Sequence, residues 1–461
     1  MTPGRHRPCA LRLRACGALL VMILAAVMTA GREAAASGEA PLVLTLEKAI
    51  TLALGQNRDI LIAAQDRSKA EAQISEARSG ALPALNVSAG YTRNIQKPVL
   101  FLPPNSLINP TSSTEEFEIG SNNAYNVGAS LTQTLYNRKV GVALDIAETY
   151  RDYARESYRG TEQGVSLEVK KAFYGVLLAG KLVEANRQGL EIVKANFENI
   201  KSQYQRGTAA EYDMLRAEVE VANSEPLLIS AENNLKLAKN SLKNLCAIPI
   251  DQEIEAQGDF AFEELPGAGL EQAKREAASN NAVIRELSLS QTMQQKNISV
   301  ERANLFPTLS LIGGYSWQTE DNSFHFKNYQ WAQTSSLGLV LSFPLFDGAR
   351  TSARVQEARS EYEKIRFAKL KAEEALVIQI ESAELRMTEA TKRIQGQEKS
   401  IDEARRAVHI AQTRFTNGVG TQLELLDSQV ALTRAQTNYA QAVYDYLVAE
   451  ADWQFAVGLP K

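Results

Sequence analysis

Residues 77–91 read ARSGALPALNVSAGY, and residues 301–315 read ERANLFPTLSLIGGY. Pro83 answers to Pro307, Tyr91 to Tyr315 and, upstream, Asn57 to Asn281, each pair 224 apart (307−83, 315−91, 281−57). A constant offset over three positions marks a tandem duplication, so the 461 residues read as two large repeats. We assign residues 37–250 to the first repeat and 251–461 to the second.

Within each repeat the period of the apolar residues changes. From Leu44 to about Ser79 the spacing is helical, with Ala49, Leu52, Ile60 and Ala63 among the apolar positions. It then becomes two. Leu85, Val87, Ala89 and Tyr91 alternate with Asn86, Ser88, Gly90 and Thr92, and Tyr125, Val127, Ala129, Leu131 and Leu135 alternate with Asn126, Gly128, Ser130, Thr132 and Thr134. The second repeat does the same with Leu309, Leu311, Tyr315 and Trp317, then with Leu337, Leu339, Leu341 and Phe343. These are four amphipathic strands of roughly ten residues, enough for a tilted membrane crossing. Alternation alone also fits a soluble sandwich with one buried face. Three features favour the membrane: a polar face of Ser, Thr, Gly and Asn with almost no charge, Tyr and Trp near strand ends, and long polar connections (about 94–123 and 318–333). Four membrane strands cannot leave open edges in lipid and are too few to close, so several copies must assemble. Two copies would make a filled eight-stranded barrel, and three a twelve-stranded one with a channel.

Each strand pair is followed by a long proline-free stretch, Thr111 to Glu225 and Leu345 to Leu459. Read as single helices, Asn137 to Arg206 and Asp347 to Asn417 are each roughly 100 Å long. In the second, Ala383, Met387, Ala390, Ile394, Gln397, Ile401, Ala404, Val408, Ala411 and Phe415 keep a strict 4-3 spacing, the seam of a left-handed coiled coil. Val176, Ala179, Val183, Asn186, Leu190, Val193, Phe197, Ile200 and Tyr204 form the matching seam of the first. Around Ala368 to Leu376 the register slips. The helices end at Gly207 and Gly418, and Thr208 and Thr421 are candidate caps for the helices that return.

The first 36 residues stand apart. Arg5, Arg7, Arg12 and Arg14 precede an uncharged run from Ala15 to Gly31, with Ala34, Ala35 and Ala36 behind it. This reads as a cleaved export signal, with a retained anchor as the alternative. Its removal leaves 50−5 basic and 54−1 acidic residues, a formal charge of −8, which argues against nucleic acid as a partner. Cys246 then stands alone and reads as a small buried side chain.

Two copies of helix, strand, connection, strand, very long helix, tight turn and return helix resemble the TolC family of outer-membrane efflux proteins. The likeness rests on Pro83, Leu85 and Tyr91 against Pro307, Leu309 and Tyr315, and on Gly207, Asp213 and Leu215 against Gly418, Glu424 and Leu426. It implies a mainly α protein with membrane β structure: a homotrimer whose twelve-stranded barrel in the outer-membrane lipid continues into a long helical tunnel across the periplasm. It also implies two partners, a periplasmic adaptor and an inner-membrane pump of RND or ABC type. The function implied is the exit duct of a tripartite efflux or type I secretion system.

By the same resemblance, Glu424 and Asp427, with Asp213 in the first repeat, line a constriction at the periplasmic end. Glu424 and Asp427 are i and i+3 on one helical face, and acids there also suit the helix dipole. Gly207, Thr208, Gly418, Val419 and Gly420 are candidates for the adaptor-docking tip. Some relatives latch the tunnel with Tyr and Arg where this chain has Phe415 and Gly420. An enzyme has little support: His6, His325 and His409 lie far apart in this arrangement, and no P-loop, dinucleotide fingerprint or nucleophile elbow accompanies them. No cofactor or metal is implied. A periplasmic coiled-coil scaffold with a soluble β domain is the alternative.

Overall fold

The computed structural model describes residues 41–263, 270–325 and 329–459. The signal assigned to residues 1–36 lies outside them. After a short strand β1 (Leu42–Leu44), the first half runs through helices α1 (Leu46–Gln56) and α2 (Arg58–Ser79), and strand β2 (Ala84–Arg93). Strands β3 (Val99–Leu102), β4 (Glu115–Glu118) and β5 (Asn123–Tyr136) follow, then the long helix α3 (Arg138–Gln205) and its return α4 (Glu211–Leu245). The second half has β6 (Ile254–Ala256), α5 (Leu270–Asn280), α6 (Ala282–Ala303), β7 (Thr308–Asp321), β8 (Ala332–Ser342), α7 (Arg350–Thr416) and α8 (Gln422–Val457). β1 and β6 pair in parallel, Leu42 opposite Ile254, and so join the starts of the two halves.

The helices form a wall. α3 packs between α2 and α6 towards the strands and between α4 and α8 towards the other end, with α7 alongside α6 and then α8. The expected helix from Leu44 to Ser79 breaks in two at Asn57, whose extended backbone (φ −60°, ψ 137°) ends α1 and caps α2. Along α7, Ala383, Ala390, Ile394 and Ala411 are buried and the remaining seam positions half-buried, as a seam packed on α8 requires. The α3 seam is buried or half-buried as far as Ile200; Tyr204, in the last turn, is 38% exposed. The register slip has a structural cause. Leu376 and Ile380 pack with Ala277, Ile284 and Val457, at the level where α6 begins beside the end of α8 and α7 changes partner. α4 runs through Pro226 without ending there.

At the corresponding level of the first half, Phe173 and Val169 on α3 gather Ala49, Ala53, Ile60, Leu242 and Cys246 into the largest apolar cluster. Burial pushes the Cys246 thiol up to about 11, which keeps it protonated.

β2, β5, β7 and β8 form a four-stranded antiparallel sheet in that order. The register aligns the alternations: Val87, Val127 and Trp317 share one face with Leu131, Tyr315 and Leu337, across Val87↔Ala129, Val127↔Trp317, Ala129↔Tyr315 and Gly313↔Leu337. The opposite face carries Asn86, Ser130, Gly314 and Ser336 in one row. Tyr91 stacks on Tyr125 at 4.8 Å, and Tyr315 meets Trp317 edge-on at 5.2 Å, towards the end of the sheet far from the helices. A soluble sandwich would bury one face. Here all ten residues of β2 are exposed, and on β8 Leu337, Leu339 and Leu341 are 76%, 66% and 69% exposed. Phe343, expected on the last strand, lies just beyond it, and a bulge at Thr134–Tyr136 shifts the register where β5 nears α3. No described helix is long and apolar enough to cross a membrane.

Candidate functional site

The two helical hairpins end in turns of the same design. Thr208 N–H donates to the Gln203 carbonyl at 2.9 Å and Gly207 N–H to Tyr204 at 2.9 Å; Val419 N–H donates to Arg414 at 3.0 Å and Gly418 N–H to Phe415 at 3.1 Å. This pattern needs a left-handed residue after the helix, and Gly207 (φ +75°) and Gly418 (φ +73°) provide it. Gly420 is required by space: a Cβ there would lie 2.9 Å from Arg414 Cβ. Gly207, Thr208, Gly418 and Val419 are exposed, as a tip must be.

The caps differ. Thr421 accepts from Glu424 N–H at 3.2 Å and so starts α8. Thr208 does not cap α4: its hydroxyl donates back to the Gln203 carbonyl at 3.0 Å, and the residue in the cap position is Ala210, which has no side-chain acceptor.

The three carboxylates named from the sequence sit in the first two turns after these hairpins. Glu424 and Asp427 are exposed on α8, on either side of the buried Leu425 and Leu426. Arg414 reaches within 3.7 Å of Glu424 and also donates to the Val419 carbonyl at 3.4 Å, bracing the turn and part-neutralising that carboxylate. Among the described residues Asp427 and the half-buried Asp213 form no ion pair.

Sequence reasoning missed a second feature beside the tip. Gln422 and Gln429 are 7% and 5% exposed, yet neither amide oxygen nor nitrogen has a partner; Asn196 Nδ2 on α3 is in the same condition. Gln429 borders a groove of about 320 Å³ between α3, α4 and α8, walled by Leu190, Val193, Leu227, Leu426 and Val430. The available signal was their position: 422 and 429 are i and i+7, on the face that Leu425 and Leu426 identify as buried.

Higher up, charged side chains tie the wall together. Asp452 on α8 accepts from Lys171 on α3 at 2.9 Å and lies 3.2 Å from Arg386 on α7. Next to it Lys170 donates to Gln454 at 2.8 Å; burial lowers its pKa and raises that of Glu450, each partly offset by the other's charge. These groups brace α3, α7 and α8 against one another.

Comparison with known proteins gives the same picture. A family model described as outer membrane efflux protein matches residues 49–247 and 274–459. The outer membrane protein TolC of Vibrio cholerae is 24% identical over 401 residues, covering 87% of each chain. The cobalt-zinc-cadmium resistance protein CzcC of Cupriavidus metallidurans is 23% identical over 397 residues, covering 86% of this chain and 85% of its own. Among solved structures the CmeC outer membrane channel of Campylobacter jejuni superposes with a TM-score of 0.74 at 18% identity, over 90% of this chain and 85% of that one.

Proposed function

Since this chain belongs to the outer membrane efflux protein family, and is an outer-membrane channel for efflux or secretion rather than an enzyme, we propose that it works as a homotrimer. Three copies of the four-stranded sheet close a twelve-stranded barrel, and the helical walls continue it as a tunnel through the periplasm. The observation that carries this reading is the sheet itself: one apolar face in register across four strands, neither face covered, and β2 and β8 each with an unpaired edge. The side helices support it, since Leu61 on α2, Leu215 and Val219 on α4, and Ile378, Leu385 and Ile410 on α7 are exposed apolar residues that a neighbouring copy can cover.

Residues 1–36 act as the export signal, and 37–250 and 251–461 as duplicated halves. A periplasmic adaptor docks at Gly207, Thr208, Gly418, Val419 and Gly420, and an inner-membrane pump of RND or ABC type supplies the energy. Substrates then leave through the duct of a tripartite efflux or type I secretion assembly. Glu424, Asp427 and Asp213 from each copy surround the periplasmic end as a ring of negative charge. The tunnel opens by a change in the coiling of the hairpins.

The test is single-channel conductance of the purified protein in planar bilayers, comparing wild type with Glu424→Ala/Asp427→Ala and adding trivalent cations from the periplasmic side. Small cation-selective steps, with block lost in the double variant, support both duct and ring. Unchanged selectivity and block would keep the duct and reduce the carboxylates to helix-end charges. Protein that needs no detergent and never conducts would overturn the reading in favour of the scaffold.

A further inference from the structure

The apolar face of the sheet does not stop where the strands meet the helices. Register fixes which residues share that face: Tyr136, shifted by the bulge, lies opposite Leu309, and Leu309 opposite Leu341. Asn137 is extended (φ −153°, ψ 112°), so Arg138 falls on the same side as Tyr136. A contact agrees with this placement. The Arg138 guanidinium lies over the Phe306 ring, 4.2 Å from its centroid, three residues before Leu309. Past Leu341, the chain continues through Phe343, Leu345 and Phe346, which are 54%, 88% and 89% exposed.

This rim also carries cations that no neighbour neutralises. Arg138 is exposed and, among the described residues, forms no ion pair; the same holds for Arg78 and Arg302 in the last turns of α2 and α6. Arg78 and Arg302 are 224 apart, and four residues after each comes an exposed apolar side chain, Leu82 and Phe306. Both halves therefore set a cation beside an apolar residue at the foot of the sheet. Glu301, next in the chain to Arg302, accepts instead from the Asn304 amide at 3.1 Å. The helix dipole suits Arg78 and Arg302 but not Arg138, which is the first residue of α3 and opposes it.

A second copy does not account for the rim. Another sheet can pair only at β2 and β8, whereas Arg138 and Phe306 stand at the feet of the inner strands β5 and β7. A membrane leaflet supplies both parts of the match: acyl chains for the apolar side chains and, where they end, phosphodiester oxygens for guanidinium groups. The far end of the sheet is different, since its connection carries Glu115, Glu116 and Glu118. Resting on the membrane-barrel reading above, we propose that this rim is a phospholipid site. Arg138 and Arg302 bind headgroup phosphates of the periplasmic leaflet, and Phe306 and Phe343 enter its acyl region and set the depth of the barrel.

The experiment places a fluorophore on Val87→Cys, in mid-sheet, or on Phe343→Cys, in vesicles containing phosphatidylglycerol; native Cys246 is fully buried and does not compete. Brominated acyl chains quench both sites, and aqueous iodide quenches neither strongly. In parallel, native mass spectrometry counts phosphatidylglycerol retained by wild type and by Arg138→Gln/Arg302→Gln. The double variant binds it about tenfold more weakly or worse, Arg138→Lys/Arg302→Lys recovers part, and excess inorganic phosphate displaces none. Unchanged retention in the glutamine variant overturns the proposal, and displacement by phosphate makes the rim a free-anion site and overturns it too. So does a Phe343 label reached only by iodide, which puts the rim in water, or by neither quencher, which puts a protein over it. Those labels sit in protein with its arginines intact, so their result stands even where the double variant fails to fold. A Val87 label untouched by brominated lipid removes the barrel and the rim together.

Discussion

Asn57 and Asn281, one in each half, make the same two kinds of contact. The Asn57 oxygen caps α2 by accepting from Asp59 N–H at 2.8 Å while its amide donates to the Leu245 carbonyl at 2.9 Å. Asn281 caps α6 by accepting from Val283 N–H at 3.0 Å and donates to the Ala456 carbonyl at 3.1 Å. Each residue thus joins the start of one helix to the end of a return helix, at 5% and 6% exposure. Asn57→Ala or Asn281→Ala removes a cap and leaves a buried carbonyl unpaired, a loss of about 2–3 kcal/mol. Asn→Asp at either site keeps the acceptor and loses the donor, so it should fall between. Thermal midpoints in detergent check the order.

The same two helix ends differ at one residue. Ile248 N–H donates to Lys243 O at 2.8 Å and Leu459 N–H to Gln454 O at 3.1 Å, so both end in the same turn. Its left-handed position is Gly458 (φ +76°) in the second half but Ala247 (φ +54°) in the first. Ala247→Gly should therefore stabilise by up to about 1 kcal/mol, since an L side chain there costs about that much. Gly458→Ala should be much worse, because its Cβ would lie 2.8 Å from the backbone of Asn280. Opposite shifts of the melting midpoint are the expected result.

Much of this architecture is legible in the residues, and the reasons are physical. The strands of the four-stranded sheet announce themselves because one face is apolar and the other polar, so Leu85 to Thr92 alternates without a break. The α7 seam is legible because one face meets a helix for over 30 residues. The β1–β6 pair is hidden because three residues are too few to show a period. The β3–β4 hairpin is hidden for another cause: VLFL and EEFE alternate on neither strand, because Val99, Phe101 and Leu102 each face a glutamate while Leu100 faces Phe117. At the tips the turns follow from Gly207 and Gly418, yet the bonding of Thr208 does not, because a hydroxyl can bond backwards, as here to Gln203, as well as forwards.

The cap difference between the hairpins is testable directly. Ala210→Ser gives α4 the acceptor it lacks and should add about 1 kcal/mol, while Thr421→Ala takes the acceptor from α8 and should remove a similar amount. Amide hydrogen exchange in the first turn of each helix reports both, slower in the first variant and faster in the second.

Glu286 on α6 makes stability pH-dependent. Burial raises its carboxyl pKa, the neighbouring Glu156 raises it further, and Arg159 offsets only part. A carboxyl raised in the folded state favours folding at acid pH, below its ordinary range near 4.3, and that contribution is lost as pH rises through the folded value. Glu286→Gln should therefore stabilise the protein at pH 7 and change little near pH 4. Thermal midpoints at the two pH values decide it, and equal effects at both would remove the electrostatic explanation.

Gln422 and Gln429 leave four polar atoms without partners in the packing of α8 near its tip. The seam towards the other end of the same helix is apolar, with Ala442, Val443 and Leu447 buried. A buried amide with no partner costs about 1–3 kcal/mol, and replacing it with an apolar side chain of similar size returns that amount. Gln422→Leu and Gln429→Leu should each stabilise the tip end of α8 by about 1–2 kcal/mol, seen as slower hydrogen exchange there with no change around Val443. If the duct opens by moving this hairpin, the same variants should lower its opening frequency in bilayers several-fold while leaving single-channel conductance unchanged. Faster exchange, or a fall in conductance with unaltered opening, would mean that the amides find partners in the assembled protein and hold the tip closed instead of loosening it.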